Sequence, residues 1–117
     1  GTLFDDLVAK TDGAYANFEL DVYWAKQGCA DPVALLKKYP NRFLLMHLKD
    51  REHGTQCNDT GAADEETNVV LGKGDVNIKS IMKAAKKTAV KHYFIEDEST
   101  RVMTQLPLSL QFLRSLR

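Results

Sequence analysis

One apolar run, Phe43-Leu44-Leu45-Met46, constrains the fold most, because it ends abruptly in ionisable side chains. The run shows no polar alternation, which is typical of a strand buried on both faces in a parallel sheet covered by helices. His47, Lys49 and Asp50 follow at the carboxyl end of this strand. In parallel α/β folds, ligands and catalytic groups collect at this end, because the loops vary while the strand holds the side chain still. The run therefore predicts a functional site at His47.

The segments around this strand alternate between helical and strand patterns. Two further strands are predicted at residues 15–24, with the core at 18–21, and at residues 91–96. Helices are predicted at residues 2–9, 31–39, 77–87 and 104–116, with Pro107 in the first turn of the last helix. The alternation indicates βα units with a parallel sheet. The polar stretch 51–68 is long enough to be a functional or a disordered loop.

Composition restricts the classes of partner. The chain has 117 residues, which fits one domain, and its formal net charge is zero. Without a basic stripe, nucleic acid is not expected as a partner, and no apolar stretch is long enough to span a membrane. We expect a soluble, cytoplasmic protein; a trimmed signal peptide would place it in the periplasm instead. Cys29 and Cys57 are expected to be structural thiols, with pairing as the alternative.

Three predicted strands end in residues that commonly bind metals: Asp21, His47 and Glu96. If the strands are parallel neighbours, their carboxyl ends lie about 4.8 Å apart, so the three side chains can converge. One imidazole and two carboxylates suit a divalent ion such as Mn, Mg, Fe, Co or Zn. The alternative is a hydrogen-bonded structural histidine with two loop-capping carboxylates.

Other residues near the strand ends allow two interpretations each. Trp24 could form an aromatic side of a sugar-binding site or be part of the core. Lys49 could contact substrate or form a salt bridge with Asp50. His53 is interpreted as a solvated loop residue or a substrate contact, and Glu19 as a residue on the strand face. The Gly72-Lys73-Gly74 turn lacks the spacing of a phosphate-binding motif and is interpreted as the boundary of the following helix.

Five segments in this order resemble the C-terminal part of the sugar phosphate isomerase/epimerase family, the xylose isomerase-like TIM barrels. They are FELDVYW at 18–24, GCADPVALLKKY at 28–39, LMHLKD at 45–50, LGKGDV at 71–76 and KHYFIEDE at 91–98. The resemblance implies a single domain, residues 1–117, that forms part of a (β/α) barrel with about three parallel strands and flanking helices. It also implies that Asp21, His47 and Glu96 are the last three of four metal ligands. Glu96 would be one of two glutamates that transfer protons beside a sugar carbonyl.

The departures from the family pattern are equally informative. The strands of the first half of the barrel, and with them the first glutamate, are absent from this sequence, and three strands cannot close a barrel. Ketose epimerases of the family have a histidine where this chain has Trp24, and Cys29 stands where a glycine is expected.

The resulting expectation is an isomerase/epimerase-like protein that uses a divalent metal (Mn, Mg, Co or Zn) and binds a sugar or sugar phosphate. Trp24, Lys49 and His53 are the expected substrate contacts, and the isolated chain is expected to have weak or no activity. The alternative is a non-catalytic half-barrel that oligomerises or binds carbohydrate. In both cases exposed sheet edges favour a homo-oligomer formed by strand-edge pairing or domain swapping. An endonuclease of the same superfamily would need more than the three histidines present.

Overall fold

A parallel sheet organises the structure, a computed structural model that describes residues 1–117. The strands of the chain are β1 (Phe18–Asp21), β2 (Phe43–Leu48), β3 (Asp50–Arg51), β4 (Asn68–Val69) and β5 (His92–Ile95). The main sheet has the order β1-β2-β5 with both pairings parallel, whereas β3 and β4 form a separate antiparallel pair. The predicted partial barrel is confirmed as an open sheet of three parallel strands with flanking helices.

Five α-helices and one 3-10 helix complete the chain. The helices are α1 (Leu3–Ala9), α2 (Val22–Gln27), α3 (Pro32–Lys38), α4 (Ile78–Ala85) and α5 (Val102–Ser115), and the 3-10 helix is Glu65–Thr67. Side chains of Thr2, Asp31 and Asn77 accept hydrogen bonds from the first turns of α1, α3 and α4. No helix is both long and apolar enough to cross a membrane.

Only one face of the sheet is covered. Met46 and Leu48 of β2 are fully buried in a core with Leu36 of α3 and Ile78 and Ile81 of α4. Successive strand residues point to opposite faces, so the residues between them belong to the other side. There Leu45 and His47 are partly exposed and Phe94 is 49% exposed. The prediction that β2 is buried on both faces is therefore wrong, because no further βα units cover the second face.

Two predicted boundaries differ from the structure. Val22 to Trp24 form the start of α2 and not the end of a strand, because the Asp21 side chain accepts a hydrogen bond from the Trp24 amide and begins a helix there. The last helix begins at Val102, two residues earlier than predicted, so Pro107 lies inside the helix and not in its first turn.

The long loop after β2 is ordered by contacts with the end of α2. Cys29 and Cys57 form a disulfide, so the prediction of two free thiols is wrong. The amide of Asn58 donates to the Gln27 carbonyl, and Gln27 Nε2 donates to the Gln56 carbonyl. The two cysteines are 28 positions apart in the chain, and their spacing in the sequence alone did not predict that they pair.

Asp50 organises the turn that precedes α4. Its two carboxylate oxygens accept hydrogen bonds from the amides of Gly72, Gly74 and Val76 at 2.9–3.1 Å, and Oδ1 also accepts from the Arg51 amide. Asp50 is 1% exposed, and a Cβ added at Gly74 would collide with Asp50 and the Arg51 carbonyl. Asp50 thus fixes the turn and does not pair with Lys49.

Candidate metal site

Asp21 reaches the site because it ends β1 and caps α2 with the same carboxylate. Its Oδ1 accepts a hydrogen bond from the Trp24 amide at 3.0 Å, which fixes the side chain. Its Oδ2 lies 3.4 Å from His47 Nδ1 on the neighbouring strand. In the parallel register Asp21 pairs with His47, so the two residues lie side by side at the carboxyl end of the sheet.

Glu96 completes the cluster from the other side of β2. It directly follows β5, and its Oε2 lies 2.9 Å from His47 Nδ1. One ligand atom from each of Asp21, His47 and Glu96 lies within 4.8 Å of the other two. The structure therefore brings together the three residues predicted from the sequence as metal ligands, each from a different parallel strand.

Burial has the largest effect on the electrostatics of the cluster, and nearby charged groups modify it. Burial raises the pKa of Asp21 above its ordinary value, and the neighbouring Glu96 acts in the same direction. The Trp24 amide and the Lys49 ammonium oppose this rise. Neighbouring carboxylates repel one another when they are ionised, and a bound cation would offset this repulsion. The donor set therefore fits a divalent ion.

The cluster is also accessible to an ion. The side chains of Asp21, His47 and Glu96 are 18%, 30% and 34% exposed. One nitrogen and two carboxylate oxygens are donors that Mn, Mg, Co and Zn accept, and they leave coordination positions free for substrate oxygens. The structure supports the choice of ligand residues, which suit any of these four metals.

Lys49 lies beside this cluster but is turned inward. Its side chain is 1% exposed, and its ammonium lies 2.6 Å from Glu98 and 3.8 Å from Glu96. The ammonium also lies 5.0 Å from the ring centre of Tyr23 and 5.6 Å from that of Trp24. Lys49 is thus held by aromatic faces and carboxylates next to the candidate ligands.

The other two predicted substrate contacts occupy different surroundings. Trp24 lies in the first turn of α2, edge-to-face with Tyr23 and near Lys49, so it borders the cluster. His53 is exposed in the loop after β3 and lines a surface depression with Asp50, Gly72 and other residues of that turn. The ligand residues do not line that depression.

Glu19 is the residue that the sequence interpretation undervalued. Its Oε1 lies 2.9 Å from His47 Nε2, the ring nitrogen on the opposite side from the cluster. The available signal was the spacing Glu19-Leu20-Asp21, because strand residues two apart point to the same face. Glu19 therefore shares the face of Asp21.

Comparison with known proteins agrees with the predicted resemblance. No family model matches the sequence, and no curated protein matches it. The similar solved structures include two of sugar phosphate isomerase/epimerases from Parabacteroides distasonis. One has a TM-score of 0.77 with 27% identity over 97% of this chain, and the other a TM-score of 0.76 with 31% identity over 98%. This chain covers 36% of the length of each. The predicted resemblance to part of this family is confirmed.

Proposed function

We propose that this chain, which is similar to sugar phosphate isomerase/epimerases over about a third of their length, carries part of a metal-dependent isomerase or epimerase site. One observation carries the proposal: Asp21, His47 and Glu96 present ligand atoms within 4.8 Å of one another at adjacent parallel strand ends. A divalent ion held by these residues would polarise a sugar carbonyl and make the neighbouring proton more acidic.

Glu96 is the proposed proton-transfer residue. Its carboxylate is about one-third exposed and lies at the open face of the sheet, where substrate can approach. An epimerase needs an acid and a base on opposite faces of the reacting carbon. Glu96 supplies one of them, and the resemblance assigns the other to a glutamate that this sequence does not contain. We therefore expect proton exchange without efficient inversion.

The charges around the cluster favour an unphosphorylated sugar over a sugar phosphate. The nearest ammonium, Lys49, is buried against Glu98. The amides of Gly72, Gly74 and Val76, which could hold a phosphate, are occupied by Asp50. Trp24 offers an apolar surface at the edge of the site, and we propose that it contacts the sugar, with His53 as a more distant contact. Lys49, which the sequence also suggested as a contact, is buried against Glu98 and is not proposed to meet the sugar.

A second candidate function is a non-catalytic half-barrel that binds carbohydrate or assembles with copies of itself. The uncovered sheet face, with Phe94 49% exposed, and the free edges of β1 and β5 favour it. We propose a homo-oligomer in either case, formed by strand-edge pairing or domain swapping at the edges of β1 and β5. Size-exclusion chromatography with light scattering tests assembly, and a monomer at micromolar concentration would contradict it.

Calorimetric titration with Mn²⁺, Co²⁺ and Zn²⁺ tests the metal site. Wild type should bind one ion per chain, and His47→Ala should lose this binding. His92→Ala is the matched control, because His92 is exposed at the opposite end of β5. Equal binding by wild type and His47→Ala would refute the site.

Deuterium incorporation into a ketose tests the proposed chemistry. Metal-loaded protein in D₂O with D-fructose should exchange the proton beside the carbonyl, as measured by mass spectrometry. Glu96→Gln should abolish exchange, whereas Glu65→Gln, at an exposed position in the 3-10 helix, should leave it unchanged. Metal binding without exchange would favour the non-catalytic candidate.

A further inference from the structure

The two nitrogens of His47 lie in different surroundings. Nδ1 faces the proposed metal ligands, 2.9 Å from Glu96 and 3.4 Å from Asp21. Nε2 lies 2.9 Å from Glu19 Oε1. Glu19 is not part of the group whose ligand atoms are close enough to share one ion. It therefore contacts the histidine from the side away from the cluster.

We propose that Glu19 is a positioning residue that holds the proton of His47 on Nε2, so that Nδ1 is the nitrogen presented to the metal. A neutral imidazole carries its proton on one nitrogen only. Both nitrogens lie 2.9 Å from a carboxylate, but a metal ion held by Asp21 and Glu96 would need the lone pair of Nδ1, and Glu19 would then accept the proton on Nε2. Metal-binding histidines generally donate their second N–H to a carboxylate or carbonyl, which fixes the ring and makes the ligand nitrogen more basic. The inference rests on the proposed metal site.

The surroundings of the ring support this role. Phe94 lies edge-to-face with the His47 ring at a centroid distance of 6.2 Å, on the neighbouring strand β5. The Glu19 side chain is 37% exposed, and its carboxylate contacts His47. Its distance from His47 follows from the strand geometry, because Glu19 and Asp21 are two residues apart on β1 and point to the same face. Asp21 and Glu19 thus flank the ring, each beside one nitrogen.

Zinc is the probe for the test, because it is diamagnetic and suits one nitrogen and two oxygens. Zinc affinity is measured by calorimetry for wild type, Glu19→Ala, Glu19→Gln, and Glu65→Ala as a control for the loss of one exposed carboxylate. Glu19→Ala should weaken zinc binding about 10- to 100-fold. Glu19→Gln should retain most of the affinity, because its amide oxygen still accepts the Nε2 proton, and Glu65→Ala should match wild type.

Nitrogen-15 NMR of the His47 ring gives a second measurement that a purely structural role would not change. Zinc-loaded wild type should show zinc on Nδ1 and a proton on Nε2 in slow exchange with water. In Glu19→Ala this proton should exchange faster. If Glu19→Ala is poorly folded, Glu19→Gln provides the comparison, because its neutral amide oxygen is a weaker acceptor and the Nε2 proton should exchange faster than in wild type.

The outcomes separate two kinds of failure. Zinc on Nε2 in wild type, or wild-type affinity and an unchanged spectrum in Glu19→Ala, would overturn the role of Glu19 while leaving the metal site intact. Equal zinc binding by wild type and His47→Ala would refute the metal site itself, and the role of Glu19 with it.

Discussion

The ammonium of Lys49 lies 2.6 Å from Glu98 Oε1, with the lysine 1% exposed and the glutamate 41% exposed. The pair joins the residue after β2 to the loop that follows β5, next to the candidate metal ligands. A buried ammonium is tolerated only when it is paired, so this contact holds the two loops together. It also removes Lys49 from the donors available to a substrate phosphate.

Replacing Glu98 with Gln should destabilise the protein, because it leaves the Lys49 ammonium without its nearest charge. We expect a loss of about 1–2 kcal/mol, less than for a fully buried pair because Glu98 is partly exposed. Urea unfolding of wild type, Glu98→Gln, Lys49→Met and the double variant measures the coupling. Additive effects in this cycle would show that the pair contributes nothing.

The same variant tests the preference for an unphosphorylated sugar. The fluorescence of Trp24, the single tryptophan, should respond to D-fructose in wild type and much less to inorganic phosphate. Glu98→Gln should gain affinity for phosphate, because Lys49 is then released from its partner. Tight phosphate binding by wild type would contradict the preference.

Replacing Asp50 with Ala should destabilise the turn between residues 72 and 76 severely. The change leaves the amides of Gly72, Gly74 and Val76 without their acceptor, at a cost of about 3 kcal/mol or more. Thermal unfolding measures the loss. Added acetate should restore part of the stability of Asp50→Ala by replacing the lost carboxylate, with no comparable effect on wild type.

Reduction of the Cys29–Cys57 disulfide should lower stability by about 2–4 kcal/mol, because the bond links residues 28 positions apart. Cys29 has a positive φ of 66°, which a glycine tolerates better. Under reducing conditions Cys29→Gly should therefore be more stable than reduced wild type by about 1 kcal/mol. Chemical unfolding with and without reductant measures both differences, and Cys57→Ala serves as the control without the change at residue 29.

The disulfide favours the periplasmic alternative over the expected cytoplasmic location. Stable disulfides belong to oxidising environments, so we propose export from the cytoplasm. Alkylation of free thiols in intact producing cells, followed by mass spectrometry, should leave Cys29 and Cys57 unmodified. Alkylation of both cysteines would favour the cytoplasm.

Acid should weaken the link between α1 and the end of α3. Asp5 accepts hydrogen bonds from Tyr39, from the Thr2 amide at 2.8 Å and from Lys38 at 2.9 Å, and these bonds hold the pKa of Asp5 below its ordinary value of 3.8. A carboxyl group with a lower pKa in the folded than in the unfolded state stabilises the protein at pH values above the ordinary pKa. This stabilisation is lost as the pH falls through the lowered pKa. The melting temperatures of wild type and Asp5→Asn should thus differ most near neutral pH, begin to approach each other below pH 3.8 and converge only at still lower pH. A constant difference would contradict this link.

The alternation of helices and strands and the three candidate ligands follow from local patterns in the sequence. Apolar runs that end in His47 and Glu96, and the strand that ends in Asp21, are local signals, and the parallel arrangement follows from the alternation of elements. The caps at Asp31 and Asn77 are equally local. These features depend on neighbours in the chain and could therefore be predicted.

Contacts between groups that are distant in the chain depend on the tertiary fold. The disulfide, the buried pair of Lys49 and Glu98, and the Asp50 carboxylate in its ring of amides each join residues more than 20 positions apart. Such partners are set by how the loops fold over the sheet, and local patterns carry no information on that. The role proposed for Glu19 has the same origin, because its distance to His47 depends on the register of β1 against β2.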